Sequence, residues 1–375
     1  MCLGALCALF YFPQKMLIAR VNLFKPGSLY LQLTTNEGLG MCKKTVKYCF
    51  GFAGLVVAMV SATASAASTN VATSLRAYAA TQTAIRNPAC VAIKPFYWEI
   101  GDQMQSLVSG STGDRSYKAD TLMPIASASK WIFGAYVVQA RQGQVSDEDV
   151  AALTMSSGYT NFGATSCIKI LPGVRNSQTV AQCFQEENNR GGHNDDFNAD
   201  AVGKFYYNGG HFQKLAVDMG LGADNNAALQ RDMQMYLGTD FVFTFGSPQL
   251  AGGVNTSAAN YAVFLRKILS KQLFINDLLG THAVCTNPQT CATALHTPVP
   301  SNLSWDYSLG HWVETDPVSG DGAFSSAGAF GFYPWIDKTK TFYGIVARKG
   351  EPGSGKDSAQ CGGLIRKAWM TGRVQ

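Results

Sequence analysis

The stretch Pro124–Ala140, PIASASKWIFGAYVVQA, decides how the chain is read. It sets a lysine, Lys130, inside an apolar helical pattern, one turn after a serine, Ser127. Ile132, Phe133, Tyr136, Val137 and Ala140 recur at helical spacing from about Ala128, and Gly143 marks the end. Burying an ammonium group is costly unless it is paired or sheds its proton. On one helix face the Cβ atoms of Ser127 and Lys130 would lie about 5–6 Å apart. The serine would sit at a helix start, where free N–H groups and the positive dipole end can help hold an oxyanion. A desolvated lysine loses proton affinity and can then serve as a base for the serine. By itself Ser-x-x-Lys is a weak signal, since a lysine that snorkels to the surface fits the same spacing.

On either side of this stretch the pattern alternates between strand and helix. Residues 67–88 are polar and Ala-rich, a linker or a first helix. VAIKPFYWEIGD and MQSLVSGSTG read as two strands with a short turn. Residues 144–285 are mainly helical and loop-like, with a capped acidic start at SDEDVAALTM and an amphipathic helix at TSAANYAVFLRKILSK. From about Ser304 strands return (WDYSLGHWVET, GAFSSAGAFGFYPWID, KTFYGIVARK), and the helix SAQCGGLIRKAWMTG closes the chain. Strands at both ends bracket a helical insertion. The expected fold is α+β: an antiparallel sheet flanked by N- and C-terminal helices, with an inserted mainly α-helical domain. The expected boundaries are 67–135 with 290–375 for the α/β part and 136–289 for the insertion.

Composition fits a globular protein, 46% hydrophobic and 15% charged. The net charge of +5 does not point to nucleic acid. Residues 1–66 hold six of the 30 Lys and Arg but only one acid, Glu37; the remaining 24 basic and 24 acidic residues balance. The leader has its own explanation. MCKKTVKY (Met41–Tyr48) is a positive start, CFGFAGLVVAMV an apolar core, and Ala64-Ser65-Ala66 a small-x-small cleavage triplet. Residues 41–66 therefore read as a secretory signal peptide, with 1–40 an upstream start-site extension. A membrane anchor is the competing reading, disfavoured by the short core and its small polar flank. Export, to a bacterial periplasm or medium, agrees with six cysteines after Ala66: Cys90, Cys167, Cys183, Cys285, Cys291 and Cys361. Fifteen pairings are possible. Locality favours Cys167–Cys183 and Cys285–Cys291, leaving Cys90–Cys361; free buried thiols are the alternative.

Three other chemistries lack their signatures. GEPGSGKD (Gly350–Asp357) nearly matches a phosphate-cradling loop, but Asp357 stands where a hydroxyl should meet magnesium, so it reads as a solvated turn. The histidines show no metal-ligand spacing, and no GxSxG elbow occurs. No metal or other cofactor is expected.

Two further pieces give Ser127 and Lys130 a context: Tyr206-x-Asn208 in FYYNGGHFQKLA, and Ser326-Ala327-Gly328 at a Gly-rich strand start. SxxK, YxN and a [K/H]-x-G-like strand, in this order, resemble the serine β-lactamase and penicillin-binding-protein superfamily. The closest likeness is to the class C-like branch of esterases, D-amino-acid peptidases and amide hydrolases. PIASASKW, LTMSSGYTNFG and PQLAGGVNTSAANYAVFLRKIL are similar to that family's surroundings, so the resemblance runs from about Tyr97 to Trp369. It implies Ser127 as acylated nucleophile, Lys130 as its base, Tyr206 as proton shuttle and Asn208 as orienter of the substrate amide. Tyr207 is the rival tyrosine, which the YxN spacing disfavours. The N–H groups of Ser127 and Ala329 would form the oxyanion hole beside Gly328. Ser326 departs from the pattern: where the family often has a cation for a substrate carboxylate, a hydroxyl carries no charge. The resemblance thus implies an exported serine hydrolase acting through an acyl-enzyme on a small ester, amide or lactam. The alternatives are a β-lactamase proper, a D-Ala-D-Ala carboxypeptidase-like enzyme, or a non-catalytic penicillin-recognising scaffold. No nucleic-acid partner and no membrane anchor after cleavage are expected.

Overall fold

A computed structural model describes residues 6–12, 15–23, 29–35, 71–163, 165, 167 and 178–375. The chain divides into two compact units, Met1–Ala72 and Thr73–Gln375. In the first, β1 (Leu6–Phe12), β2 (Lys15–Leu23) and β3 (Leu29–Thr35) form an antiparallel sheet with β2 in the middle. The signal-peptide reading of 41–66 lies outside the described residues.

The second unit opens with α1 (71–86) and α2 (Pro88–Val91), then β4 (Phe96–Asp102), β5 (Ser106–Thr112) and β6 (Met123–Pro124). Next come α3 (Ser129–Ala140), α4 (Asp147–Leu153), α5 (Val180–Phe184), β7 (Phe205–Tyr206), α6 (Gly210–Asp218) and α7 (Asn226–Leu237). β8 (Thr244–Phe245), β9 (Val254–Thr256), α8 (Ala258–Leu269), α9 (Ile275–Leu278), β10 (Val284–Cys285) and β11 (Ala294–His296) follow. β12 (Asp306–Ser308), β13 (His311–Val313), β14 (Phe324–Ser325), β15 (Tyr333–Ile336), β16 (Phe342–Ala347) and α10 (Gly355–Thr371) complete the chain.

Eight strands make one antiparallel sheet in the order β10-β12-β13-β14-β15-β16-β4-β5. Its central pair explains why both strand sequences are apolar almost throughout. Side chains alternate across a strand. In β4, Phe96, Trp98 and Ile100 join the core beneath α1 and α10, while Tyr97 faces the other way. In β16, Tyr343, Ile345 and Ala347 join the second core, with α3 and α8, while Val346 faces α10. A sheet covered on both faces needs this near-continuous apolar run. The fold is therefore the expected α+β sandwich, with helices between the two groups of strands.

One covalent and one charged device tie α10 down, the first to α2 and the second to the sheet. Cys90 is bonded to Cys361, 271 residues away, and both are fully buried. Arg366 reaches Glu314 at 2.6 Å, Asp321 at 2.7 Å and the Tyr333 hydroxyl at 2.8 Å, while Tyr333 donates to Glu314 at 2.5 Å. The other bridges are Cys167–Cys183 and Cys285–Cys291, the pairing that locality favours.

α3 settles the first question of the sequence. Every residue from Ser129 to Val138 is buried, so the helix is enclosed on all sides. Lys130 is only 5% exposed and cannot snorkel.

Candidate active site

The segment before α3 is a tight turn. Ala126 has φ +45°, a left-handed backbone uncommon for a residue with a side chain, and residues 126–128 form one 3-10 turn. Ser129 holds that turn: its hydroxyl donates to the Ala126 carbonyl at 2.6 Å and accepts from the Val254 N–H at 3.2 Å. Ser127 is left half-buried at the head of α3.

Lys130 Nζ lies 3.0 Å from Ser127 Oγ and donates to the Ala251 carbonyl at 2.8 Å. Ala251 belongs to the turn before β9 that the Ala-Gly-Gly sequence marked. Among the described residues no carboxylate pairs with this lysine. Burial pulls its pKa down to about 7. A lysine poised there can take the proton of a neighbouring hydroxyl and give it back at neutral pH.

The tyrosine at the site is Tyr207. Its hydroxyl faces Ser127, and Lys130 Nζ stands 4.8 Å from its ring centroid. Burial raises the phenol to about 12, so it keeps its proton at neutral pH. Tyr206, the residue the YxN spacing selects, lies elsewhere: its ring is 5.1 Å from that of His296, and its carbonyl lies 3.0 Å from His211 Nε2. The reason is strand alternation. β7 pairs with β11, and alternate residues face opposite sides. Phe205 and Tyr207 share the side that meets Tyr307 and Trp312; Tyr206 takes the other. Trp312 lies nearly parallel to the Tyr207 ring, centroids 5.4 Å apart at 19°.

Asn208 is likewise turned away from the expected task. Its Oδ1 accepts from the N–H groups of Phe162 at 3.1 Å and Gly210 at 2.8 Å, and its Nδ2 donates to the Phe162 carbonyl at 3.2 Å. These bonds make it a bracket between α6 and the loop at 159–163.

Ser326 and Gly328 bring the strand end to the nucleophile. Ser326 Oγ donates to the Ser127 carbonyl at 3.2 Å. A Cβ on Gly328 would sit 2.1 Å from the Ile125 carbonyl oxygen, so only glycine fits there. Ala329 follows on the exposed side, and among the described residues neither its N–H nor that of Ser127 donates to a loop or turn carbonyl. Ser127, Lys130, Tyr207, Ser326 and Gly328 are thus gathered at one place, with the Ala329 amide next in chain. Ser129, the Ala251 carbonyl and Trp312 were missed from sequence. For Ser129 the run of small hydroxyl residues before Lys130 was the available signal; for Trp312 there was none.

No family model matches the chain, and no curated protein matches it. Solved structures do. A D-stereospecific amidohydrolase from Streptomyces sp. is 13% identical, with a TM-score of 0.51 over 79% of this chain and 99% of that one. Simvastatin synthase from Aspergillus terreus is also 13% identical, with a TM-score of 0.51 over 80% and 98%. An octameric penicillin-binding protein homologue from Pyrococcus abyssi is 12% identical, with a TM-score of 0.51 over 76% and 74%. The chain has the fold of the serine β-lactamase and penicillin-binding-protein-like superfamily, as the resemblance implied. A putative 6-aminohexanoate-dimer hydrolase from Bacillus anthracis is similar as well, 15% identical with a TM-score of 0.50 over 75% of this chain and 80% of that one.

Proposed function

We propose that this chain is an exported serine hydrolase that opens an ester, amide or lactam bond through an acyl-enzyme on Ser127. One observation carries the reading: a buried lysine, without a carboxylate partner among the described residues, 3.0 Å from the Ser127 hydroxyl. A structural cation would be expected to have a counter-charge; a base has reason to lack one.

Neutral Lys130 takes the Ser127 proton as Oγ attacks the carbonyl carbon. The N–H groups of Ser127 and Ala329 receive the developing oxyanion. The Tyr207 hydroxyl gives its proton to the leaving group and is reprotonated from Lys130. Water then releases the acyl group by the same relay in reverse. Ser326, with its hydroxyl on the Ser127 carbonyl, offers no cation to a substrate carboxylate. An uncharged acyl or leaving group therefore suits the site better than an anionic one. The catalytic unit is read as the α/β part 67–135 with 290–375, together with the insertion 136–289, following a signal peptide at 41–66. The three disulfides fit an oxidising compartment, and no described helix is long and apolar enough to cross a membrane.

The test is covalent labelling with a fluorophosphonate or a p-nitrophenyl ester, read by peptide mass spectrometry. Label on Ser127, lost in Ser127→Ala, is expected. A folded wild type that takes no label from esters, amides or penicillins would make the chain a scaffold. Intact mass tests the export reading: the exported protein should comprise residues 67–375, whereas a mass retaining 41–66 would indicate an anchor.

A further inference from the structure

The glycine-rich turn GEPGSGKD, which looks like a phosphate loop and is none, lies directly behind the candidate oxyanion amide. Gly353 N–H donates to the Ala329 carbonyl at 3.0 Å, and Gly350 N–H donates to the Phe330 carbonyl at 2.7 Å. A phosphate-cradling loop would leave such N–H groups free for the anion; here two of them are committed within the fold. On its other side the 328–332 hairpin is closed by Gly328 N–H to Phe332 O at 2.8 Å and Gly331 N–H to Gly328 O at 2.9 Å. The first residue of α10 completes the support: a Cβ on Gly355 would stand 2.6 Å from the Gly328 carbonyl oxygen. Gly353 itself has φ +99°, with open space where a side chain would go, so its glycine serves the backbone path alone.

We propose that the turn Gly350–Gly355 is a positioning device for the reaction: it clamps the peptide units at 328–330 so that the Ala329 N–H is aimed at the oxyanion. This rests on the acyl-enzyme reading above. The physical argument is that an oxyanion donor works only when held in place before the charge develops. Ala329 is exposed, so its orientation has to come from backbone bonds on either side rather than from packing of its own side chain. Gly353 supplies one of those bonds, and Gly355 allows α10 to press against the preceding carbonyl, that of Gly328, which shares a peptide unit with the Ala329 N–H.

The experiment compares Gly353→Ala and Gly355→Ala with Gly372→Ala. Gly372 ends the same helix at φ +68° with open space around it, so its alanine variant carries a similar backbone strain far along α10 from the site. Steady-state kinetics on the p-nitrophenyl ester that labels Ser127 are measured alongside the affinity of an arylboronic acid, which mimics the tetrahedral state, and the thermal midpoint. Gly353→Ala should lower kcat at least about 10-fold with KM nearly unchanged, since loss of an oxyanion donor acts on the transition state and costs about 100–1000-fold when complete. Boronic acid affinity should fall in step, while Gly372→Ala shifts the midpoint and leaves kcat alone. If Gly353→Ala does not fold, Gly355→Ala is read in the same way. Folded variants that keep wild-type kcat, or lose no more than Gly372→Ala, would overturn the proposal, as would a thermal shift of the wild type by Mg-ATP that Gly353→Ala abolishes. Failure of the hydrolase reading is distinguishable, because then the wild type itself would form no acyl-enzyme.

Discussion

Replacing Lys130 by methionine should make the folded protein more stable at neutral pH, and the advantage should fade as the solution is made alkaline. The folded-state pKa of Lys130 is depressed by burial to about 7, against an ordinary value of 10.5. Between those two values the unfolded chain binds the extra proton and the folded chain does not. Stability therefore rises with pH across that window. Below it both states are protonated, and the full burden of burying an ammonium is present. With one pKa unit equal to about 1.4 kcal/mol, the two-pKa expression gives about 4 kcal/mol of relief between pH 6 and pH 10. Methionine does not titrate. It also leaves the Ala251 carbonyl without its 2.8 Å donor, a loss of about 1–3 kcal/mol that does not depend on pH. The difference in unfolding free energy between wild type and Lys130→Met should hence favour the variant by a few kcal/mol at pH 6 and reverse in sign by pH 10. Urea unfolding at intervals over that range, followed by circular dichroism, measures it. The acylation rate of the wild type should rise with pH through about 7 in the same samples, as neutral lysine appears. A stability difference that stays flat from pH 6 to pH 10 would mean that Lys130 titrates like a solvated lysine, and the base mechanism would have to be given up.

Tyr207→Phe should reduce turnover on the p-nitrophenyl ester by about 100-fold or more, the low end for an acid–base group, whereas Tyr206→Phe should stay near wild type; the reverse ranking in steady-state assays would restore the YxN assignment. Reducing the 90–361 bridge, or replacing both cysteines by serine, should lower unfolding free energy by up to about 5 kcal/mol in urea titrations, because the closed loop is long. Arg366→Met should cost about 3–5 kcal/mol in the same assay by leaving Glu314 buried beside Tyr333 without its cation; a near-neutral result would show that Glu314 takes up a proton instead.

How much of this was readable before the structure depends on how local each relation is. Ser127 and Lys130 are three residues apart at a helix start, so the geometry of one turn brings them together wherever the helix packs. The pattern of strands, insertion and strands was also readable, because each central strand is long enough to show its apolar run. Tyr206 against Tyr207 was a different problem. Two adjacent tyrosines, one ending a two-residue strand and one just after it, face opposite sides, and which side meets Ser127 is decided by pairing with Ala294–His296, far along the chain. A spacing rule carried over by resemblance cannot detect that shift of register. The expectation for Asn208 hung on the same choice, because its place in the motif was counted from Tyr206.

The glycine-rich turn shows the same limit from the other direction. Its composition is what a phosphate loop and a backbone clamp have in common: residues that reach positive φ and let main chains approach closely. The sequence alone does not say what the freed N–H groups are for, since their partners, Ala329 and Phe330, are carbonyls brought in by the β14–β15 hairpin. The lysine at the centre of the site follows the same rule. The Ala251 carbonyl and the Tyr207 ring both favour the charged form, and burial opposes them. Burial is what brings its pKa down to about 7. Each of the three comes from a different part of the chain: α3 for the burial, the turn before β9 for the carbonyl, and the segment after β7 for the ring. A base tuned in this way needs no charged neighbour, which is why nothing in its own helix announces it except a lysine where a leucine would be expected.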